Sequence, residues 1–268
     1  MGRGVASHAV CAQRFNLGAG RCYRGGMQQE KITAIFDQQA ASYDRQWSRL
    51  APLNGALHLL AGAVLAGLPR EARILCVGAG TGAEMLSLAQ PFPEWHFTAV
   101  EPSTAMLEVC RRRAEEHGIA ARCRFHAGFL DSLPAGEPFD AATAFLVSQF
   151  ILERPARAKF FQGIAERLRP EGMLISADLA GDLSTPEGRG LLEVWFRVMS
   201  DTDLSPEGVE KMREAYRRDV AVMPPGEVRE IIAQGGFDRP VQFFQAGMIH
   251  AWYARRAPMP PEQDATKL

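Results

Sequence analysis

The chain has 268 residues, 47% hydrophobic and 23% charged, with 30 basic and 31 acidic side chains and a net charge of -1. These are ordinary globular values. They exclude wholesale disorder, collagen-like sequence and a global electrostatic grip on nucleic acid or an anionic membrane. The longest mostly apolar stretch, 57–68, contains His58 and two glycines and is too short to span a bilayer. The five cysteines form no CxxC pair, so no disulfide framework or structural zinc site is expected, and a reducing cytoplasm is the default location.

Residues 1–26 carry Arg3, Arg14, Arg21 and Arg24 and no acid, without apolar periodicity, and read as an unstructured extension before a domain over 27–256. Ile32, Ile35, Phe36 and Ala40 mark one face of a first helix. A second helix runs from about Leu53 to Leu68. A strand follows at Arg73–Val77, then glycines at Gly78–Gly82 and a helix through Gln90. Further strands are expected at Trp95–Val100, Arg122–Ala127, Phe139–Phe145 and Gly172–Asp178. Between them lie helices at Ser103–His117, N-capped by Ser103 and stopped by Gly118, and from Pro155 to about Leu168. Alternation of strand and helix predicts a parallel sheet covered on both faces.

After the fifth strand the rhythm changes. Helices are expected at Pro186–Met199, Ser205–Arg217 and Gly226–Gln234, the last closing at Gly235-Gly236. The first two fall in a helical cap over 179–223. Val241–Gln245 and Met248–Arg255 then predict two strands around a short turn, and 257–268 a loose tail.

A strand that runs into glycines and then a helix lets backbone approach a ligand closely and offers it free N–H groups. Glu101, at the end of the second strand, follows Gly82 by 19 residues. A carboxylate there can accept hydrogen bonds from both ribose hydroxyls of a nucleotide, which points to an adenosine-containing ligand. Gly78, Gly80 and Ala83 also fit GxGxxA, so the turn alone does not separate NAD from S-adenosylmethionine (SAM).

The wider pattern does. Ile74–Gly82 resembles motif I of the class I SAM-dependent methyltransferases, and Ala99-Val-Glu-Pro-Ser-Thr-Ala-Met106 their acidic motif. Phe139-Asp140, Leu168-Arg-Pro-Glu-Gly172, Gly235-Gly-Phe237, Ile35-Phe-Asp37 and Ser42-Tyr-Asp44 extend the resemblance over about 30–256. It implies a Rossmann-like α/β fold with a seven-stranded, mostly parallel sheet and an antiparallel last pair. It implies SAM as cofactor, with S-adenosylhomocysteine (SAH) as product. It places Gly78, Ala79, Gly80 and Gly82 at the methionine part, Glu101 at the ribose, and Pro102, Met106, Phe129 and Leu130 around adenine. Phe145 lies under the sulfonium, and Tyr43 reaches the carboxylate region. Two positions depart from the family pattern: Cys76 and Phe129 stand where acids are common.

Val147-Ser-Gln-Phe150 and the insertion after strand five also resemble the carboxy-SAM synthases, which hold an extra carboxylate with an arginine of the insertion; Arg197 is the nearest counterpart. Ordinary methyl transfer to a small molecule is the preferred reading. An NAD-linked oxidoreductase and a SAM-binding protein without turnover are the rivals. Trp195, Arg197, Met199 and Tyr216 are the expected substrate contacts in the cap.

In-line displacement from a sulfonium obliges no catalytic residue, and none is assigned. His58, His96, His117, His126 and His250 are expected in structural roles, and His8 lies in the extension. Asp131 and Glu153 read as solvated loop carboxylates, and Arg111-Arg-Arg113 as a solvated helix face. No metal site, nucleic acid or membrane partner is expected, and the oligomeric state, a homodimer included, stays open.

Overall fold

A computed structural model describes residues 26–199 and 205–258. Nearly all of the expected N-terminal extension, most of the tail, and with them His8, Cys11 and Cys22, lie outside the described residues.

Arg73–Val77 (β1) runs through the middle of a seven-stranded sheet of order β3-β2-β1-β4-β5-β7-β6. Its side chains alternate, as a strand requires. Ile74 and Cys76 join the core on one face, Leu75 and Val77 the core on the other. Parallel neighbours β2 (His96–Glu101), β3 (Cys123–Ala127), β4 (Phe139–Phe145) and β5 (Leu168–Leu179) follow. β6 (Phe237–Ala246) and β7 (Ile249–Arg256) pair antiparallel, with β7 also antiparallel to β5.

The helices in chain order are α1 (Gly26–Gln39), α2 (Tyr43–Gln46), α3 (Ala51–Leu65), α4 (Ala83–Ala89), α5 (Thr104–Glu116) and α6 (Arg154–Arg167). α7 (Pro186–Met199), α8 (Pro206–Asp219) and α9 (Pro225–Gln234) follow β5. Ala61 and Leu65 of α3, Met85 and Leu88 of α4, and Leu107 and Cys110 of α5 cover one face of the sheet. Phe161 and Ile164 of α6 and Ile231 and Ile232 of α9 cover the other. A third apolar cluster joins α7 and α8 to Leu50, Leu57 and the far end of the sheet through Trp195, Phe196, Met212 and Tyr216.

Two elements differ from the sequence reading. β5 begins at Leu168 rather than Gly172, with the register broken before Met173, and Glu171 turns the chain with φ 60°. The acid that opens β4 explains this corner. Asp140 accepts a hydrogen bond from Arg73 N at 2.7 Å and pairs with Arg169 at 3.1 Å, stitching β1, β4 and the approach to β5. β6 starts four residues earlier than its apolar run suggests. Pro240 is tolerated because β6 is an edge strand, and the register shifts beside it.

From β1 the chain winds outward through β2 and β3, then returns to place β4 on the other side of β1. The carboxyl ends of β1 and β4 therefore flank a topological switch point, where such sheets open a ligand crevice.

Candidate active site

The glycine turn hangs from the end of β2: Gly78 N and Ala79 N both donate to Val100 O, at 2.8 and 3.1 Å. Gly78 must be glycine on two counts. Its φ is 68°, and a Cβ there would lie 2.4 Å from Val147 Cγ2. Gly80 also has positive φ, but a Cβ on it would meet nothing within 4 Å, so its open side faces the crevice.

Glu101 is 6% exposed and holds the turn in place. One carboxylate oxygen accepts from Gly80 N and the other from Ser103 N, each at 2.9 Å. Burial raises its pKa, against the pull of those two amides. Ser103 in turn caps α5 through Met106 N at 3.1 Å.

The N-terminal helices clasp this region from above. Asp37 accepts from Ser103 Oγ at 2.6 Å and Ala105 N at 3.2 Å. Asp44 accepts from Thr81 Oγ1 at 2.7 Å and pairs with Arg113 at 2.8 Å. Between the two carboxylates Tyr43 packs against Phe36 and Trp47, with ring centroids 6.2 and 6.0 Å apart. Burial first, then the charges of Glu101 and Asp44, push its phenol up to about 12, so it stays a protonated donor.

One cavity of about 1550 Å³ runs through the site. Its first half is lined by Gly78, Ala79, Gly80, Glu101, Pro102 and Met106, with Phe129 and Leu130 at the rim. Phe129 leaves 40% of its surface open. The second half lies beneath the cap and is walled by Phe145, Leu146, Trp195, Met199, Met212 and Tyr216. Leu146, where β4 ends, has φ 58°, a conformation that a non-glycine residue holds only under constraint. The cap's polar tips satisfy one another: Trp195 Nε1 donates to Tyr216 Oη at 2.8 Å, and Tyr216 Oη lies 3.2 Å from Met199 Sδ. Arg218 and Asp219 at the end of α8 also line the cavity.

The turn, the clamped acid and the crevice agree with a match to known families: residues 74–172 fit a methyltransferase domain. The chain carries a class I SAM-dependent methyltransferase domain. Its cofactor is SAM, and the residues present fit it, with a buried acid beside glycines that leave backbone open to a cavity large enough for the group. The methyltransferase is 26% identical over 233 residues to a carboxy-SAM synthase of Dichelobacter nodosus, covering 84% of this chain and 94% of the relative. It is 28% identical over 206 residues to the corresponding enzyme of Campylobacter hominis, covering 75% and 86%. Human N-acetylserotonin methyltransferase, solved with SAM, shares the fold with a TM-score of 0.62 and 13% identity, over 94% of this chain and 66% of that one. The chain thus spans about two thirds of the human structure's length. No helix among the described residues is long and apolar enough to cross a membrane, and no group of side chains among them could hold a metal ion.

Three expectations are corrected by the geometry of the methyltransferase. Gly82 is outside the cavity wall. It lies behind the turn with φ 80°, where a Cβ would sit 2.6 Å from Cys110 Sγ, so it is needed for packing. Arg197 is exposed on α7 and is absent from the cavity wall, because the buried face of that helix is taken by Trp195 and Phe196. Nor is the arginine run of α5 merely solvated. Arg111 lies 4.6 Å over the ring of Phe125, and Arg113 bonds Thr81 O and Asp44 beside the turn.

Two cavity residues were missed. Glu84, in the first turn of α4, is 6% exposed and reaches back beneath the glycine turn, where Thr143 Oγ1 donates to it at 2.5 Å. Burial pushes its carboxyl up to about 7, against hydrogen bonds from Thr143 and Cys76. The helix thus places a carboxyl beside Cys76 of β1. An acid one turn after a motif without its usual acid was the available signal. His58 also lines the cavity, stacked on Phe145. Its sequence context gave no such signal, since it follows Leu57 on a helix whose other buried residues are apolar.

Proposed function

We propose that this methyltransferase moves the methyl group of SAM to a small, largely apolar acceptor bound under the cap. The observation that carries the reading is the single cavity. Its wall takes in the glycine turn and Glu101 as well as Phe145 and the cap side chains Trp195, Met199 and Tyr216. Bound SAM supplies an electrophilic methyl on a good leaving group, so the protein's part is alignment and exclusion of water.

In this reading Glu101 accepts from the ribose hydroxyls while keeping Gly80 and Ser103 in place. Pro102, Met106, Phe129 and Leu130 bound the adenine. The backbone of Gly78–Gly80 faces the methionine part, with Tyr43 donating near its carboxylate. Phe145 floors the reacting centre, and Trp195, Met199 and Tyr216 shape the acceptor site.

The second reading is a carboxy-SAM synthase, favoured by relatives that the chain matches over most of their length. The place of Arg197 outside the cavity wall supports methyl transfer over it, whereas Arg218 of the cap lines the cavity and is the arginine that the second reading would use.

Native mass spectrometry of the purified protein with SAM and SAH, followed by incubation with SAM and a panel of small phenols and amines, tests both. Methyl transfer predicts SAH together with an acceptor heavier by one methylene. A SAM-derived species heavier by one carboxyl group, released from the protein as purified or formed once a decarboxylating carboxylic acid is added as carboxyl donor, supports the second reading. Failure to bind either SAM or SAH overturns both.

A further inference from the structure

The cavity wall holds a histidine that methyl transfer, as described, does not use. His58 of α3 is half-buried in the cavity wall. Its ring stacks on Phe145 with 5.8 Å between centroids and 17° between planes. Phe145 thereby fixes the plane in which the ring nitrogens point.

Three other histidines make polar contacts within the fold, although His250 Nε2 is buried without a partner. His117 contacts Arg113 O at 2.8 Å, His126 contacts Ser132 Oγ at 2.9 Å, and His250 contacts Gln242 at 3.1 Å. His58 makes no hydrogen bond to the described residues. Burial pushes its imidazole down to about 4, so at neutral pH the ring is uncharged and keeps one bare nitrogen. Leu57, Phe145, Leu146, Trp195 and Met199 line the same cavity, together with the polar Asn54 one turn before it on α3. Its ring nitrogens are not sealed from the cavity, so a hydroxyl that enters can bond the bare one in place of water.

We propose that His58 is an acceptor-binding residue that selects small hydroxylated aromatic molecules. Its bare ring nitrogen accepts a hydrogen bond from the hydroxyl group and holds that oxygen beside Phe145. The ring of the acceptor lies against the aromatic and methionine side chains of the cap, which suit it in polarity and shape. The proposal rests on the methyl-transfer reading.

The test uses the full chain saturated with SAH, with phenol as probe and toluene, the same ring without the hydroxyl, as control. NMR of isotope-labelled histidine ring nitrogens reports the contact. Phenol is expected to shift the unprotonated nitrogen of His58, and toluene to leave it in place. His58→Phe keeps the stack on Phe145 but removes the bare nitrogen. It is expected to weaken phenol binding about tenfold, the size of one hydrogen bond, while SAH and toluene affinities stay within about twofold. Phenol that does not bind, that leaves the His58 signal where toluene leaves it, or that binds His58→Phe as tightly as the parent overturns the proposal. If the parent protein fails to bind SAH, the methyl-transfer reading falls first and takes the proposal with it; SAH binding without the phenol effect removes the proposal alone.

Discussion

Glu101 does two jobs with one carboxylate: it tethers Gly80 and Ser103, and its remaining lone pairs face the crevice. Glu101→Ala is therefore expected to lower SAM affinity by roughly ten- to a hundredfold in titration calorimetry, as loss of hydrogen bonds to a charged group implies. Glu101→Gln, which can keep one acceptor, should lose less. Glu84 and His58 leave opposite marks on stability. The carboxyl of Glu84 rises from 4.5 to about 7 on folding, so the folded state holds its proton more tightly than the unfolded chain. Its contribution is complete below pH 4.5 and is lost as pH rises to about 7, by up to about 3 kcal/mol. The imidazole of His58 falls from 6.5 to about 4, so its contribution is present above pH 6.5 and is lost as pH falls to about 4. The two trends oppose one another in the parent protein. Urea denaturation of Glu84→Gln between pH 5 and 7, set beside the parent, should reveal a stability that rises with pH more steeply.

Among the elements, the turn after β4 joins the site to the cap. Arg157 of α6 and Asp178 of β5 are fully buried and paired at 3.1 Å. Ser148 bonds both, receiving from Arg157 Nε at 2.7 Å and donating to Asp178 at 2.8 Å. Arg157 also reaches Ala221 O at 3.2 Å, and Ala221 N donates to Gln149 O at 2.8 Å, so the chain leaving the cap is fastened to the same turn. Removing one buried partner strands the other. Arg157→Leu is expected to cost about 3–5 kcal/mol in chemical denaturation, and the double variant with Asp178→Leu to recover a good part of that loss. The N-terminal clasp is of a different kind. Asp37 and Asp44 hold α1 and α2 through partly exposed bonds to Ser103, Thr81 and Arg113, which can open without disturbing the sheet.

At the scale of the molecule, cofactor binding should appear as stability. SAH at a hundred times its dissociation constant adds about 2.7 kcal/mol to the folded state. For a domain of this size that raises Tm by roughly 5–10 °C in differential scanning calorimetry. NADH in place of SAH is expected to leave Tm unchanged. Much of the architecture was readable because its signals are local. The apolar run of β1, the glycines after it, the Ser103 cap and Glu101 at the end of β2 each lie within a few residues of the backbone they shape. β6 was read from its apolar run at Val241, whereas its pairing with β7 begins at Phe237, and its place at the sheet edge is what lets the strand pass through Pro240.

Sequence by itself determined the order of strands and helices, the nucleotide-type turn and its acid, since periodicity, glycine conformation and capping act over short spans of chain. Tertiary structure decided that Arg197 faces solvent, that Gly82 serves packing, that Glu84 reaches Thr143, and that His58 lines the cavity. Each of those depends on which distant element covers a given helix face, and burial and hydrogen bonding are set by that neighbour rather than by the residues next in line.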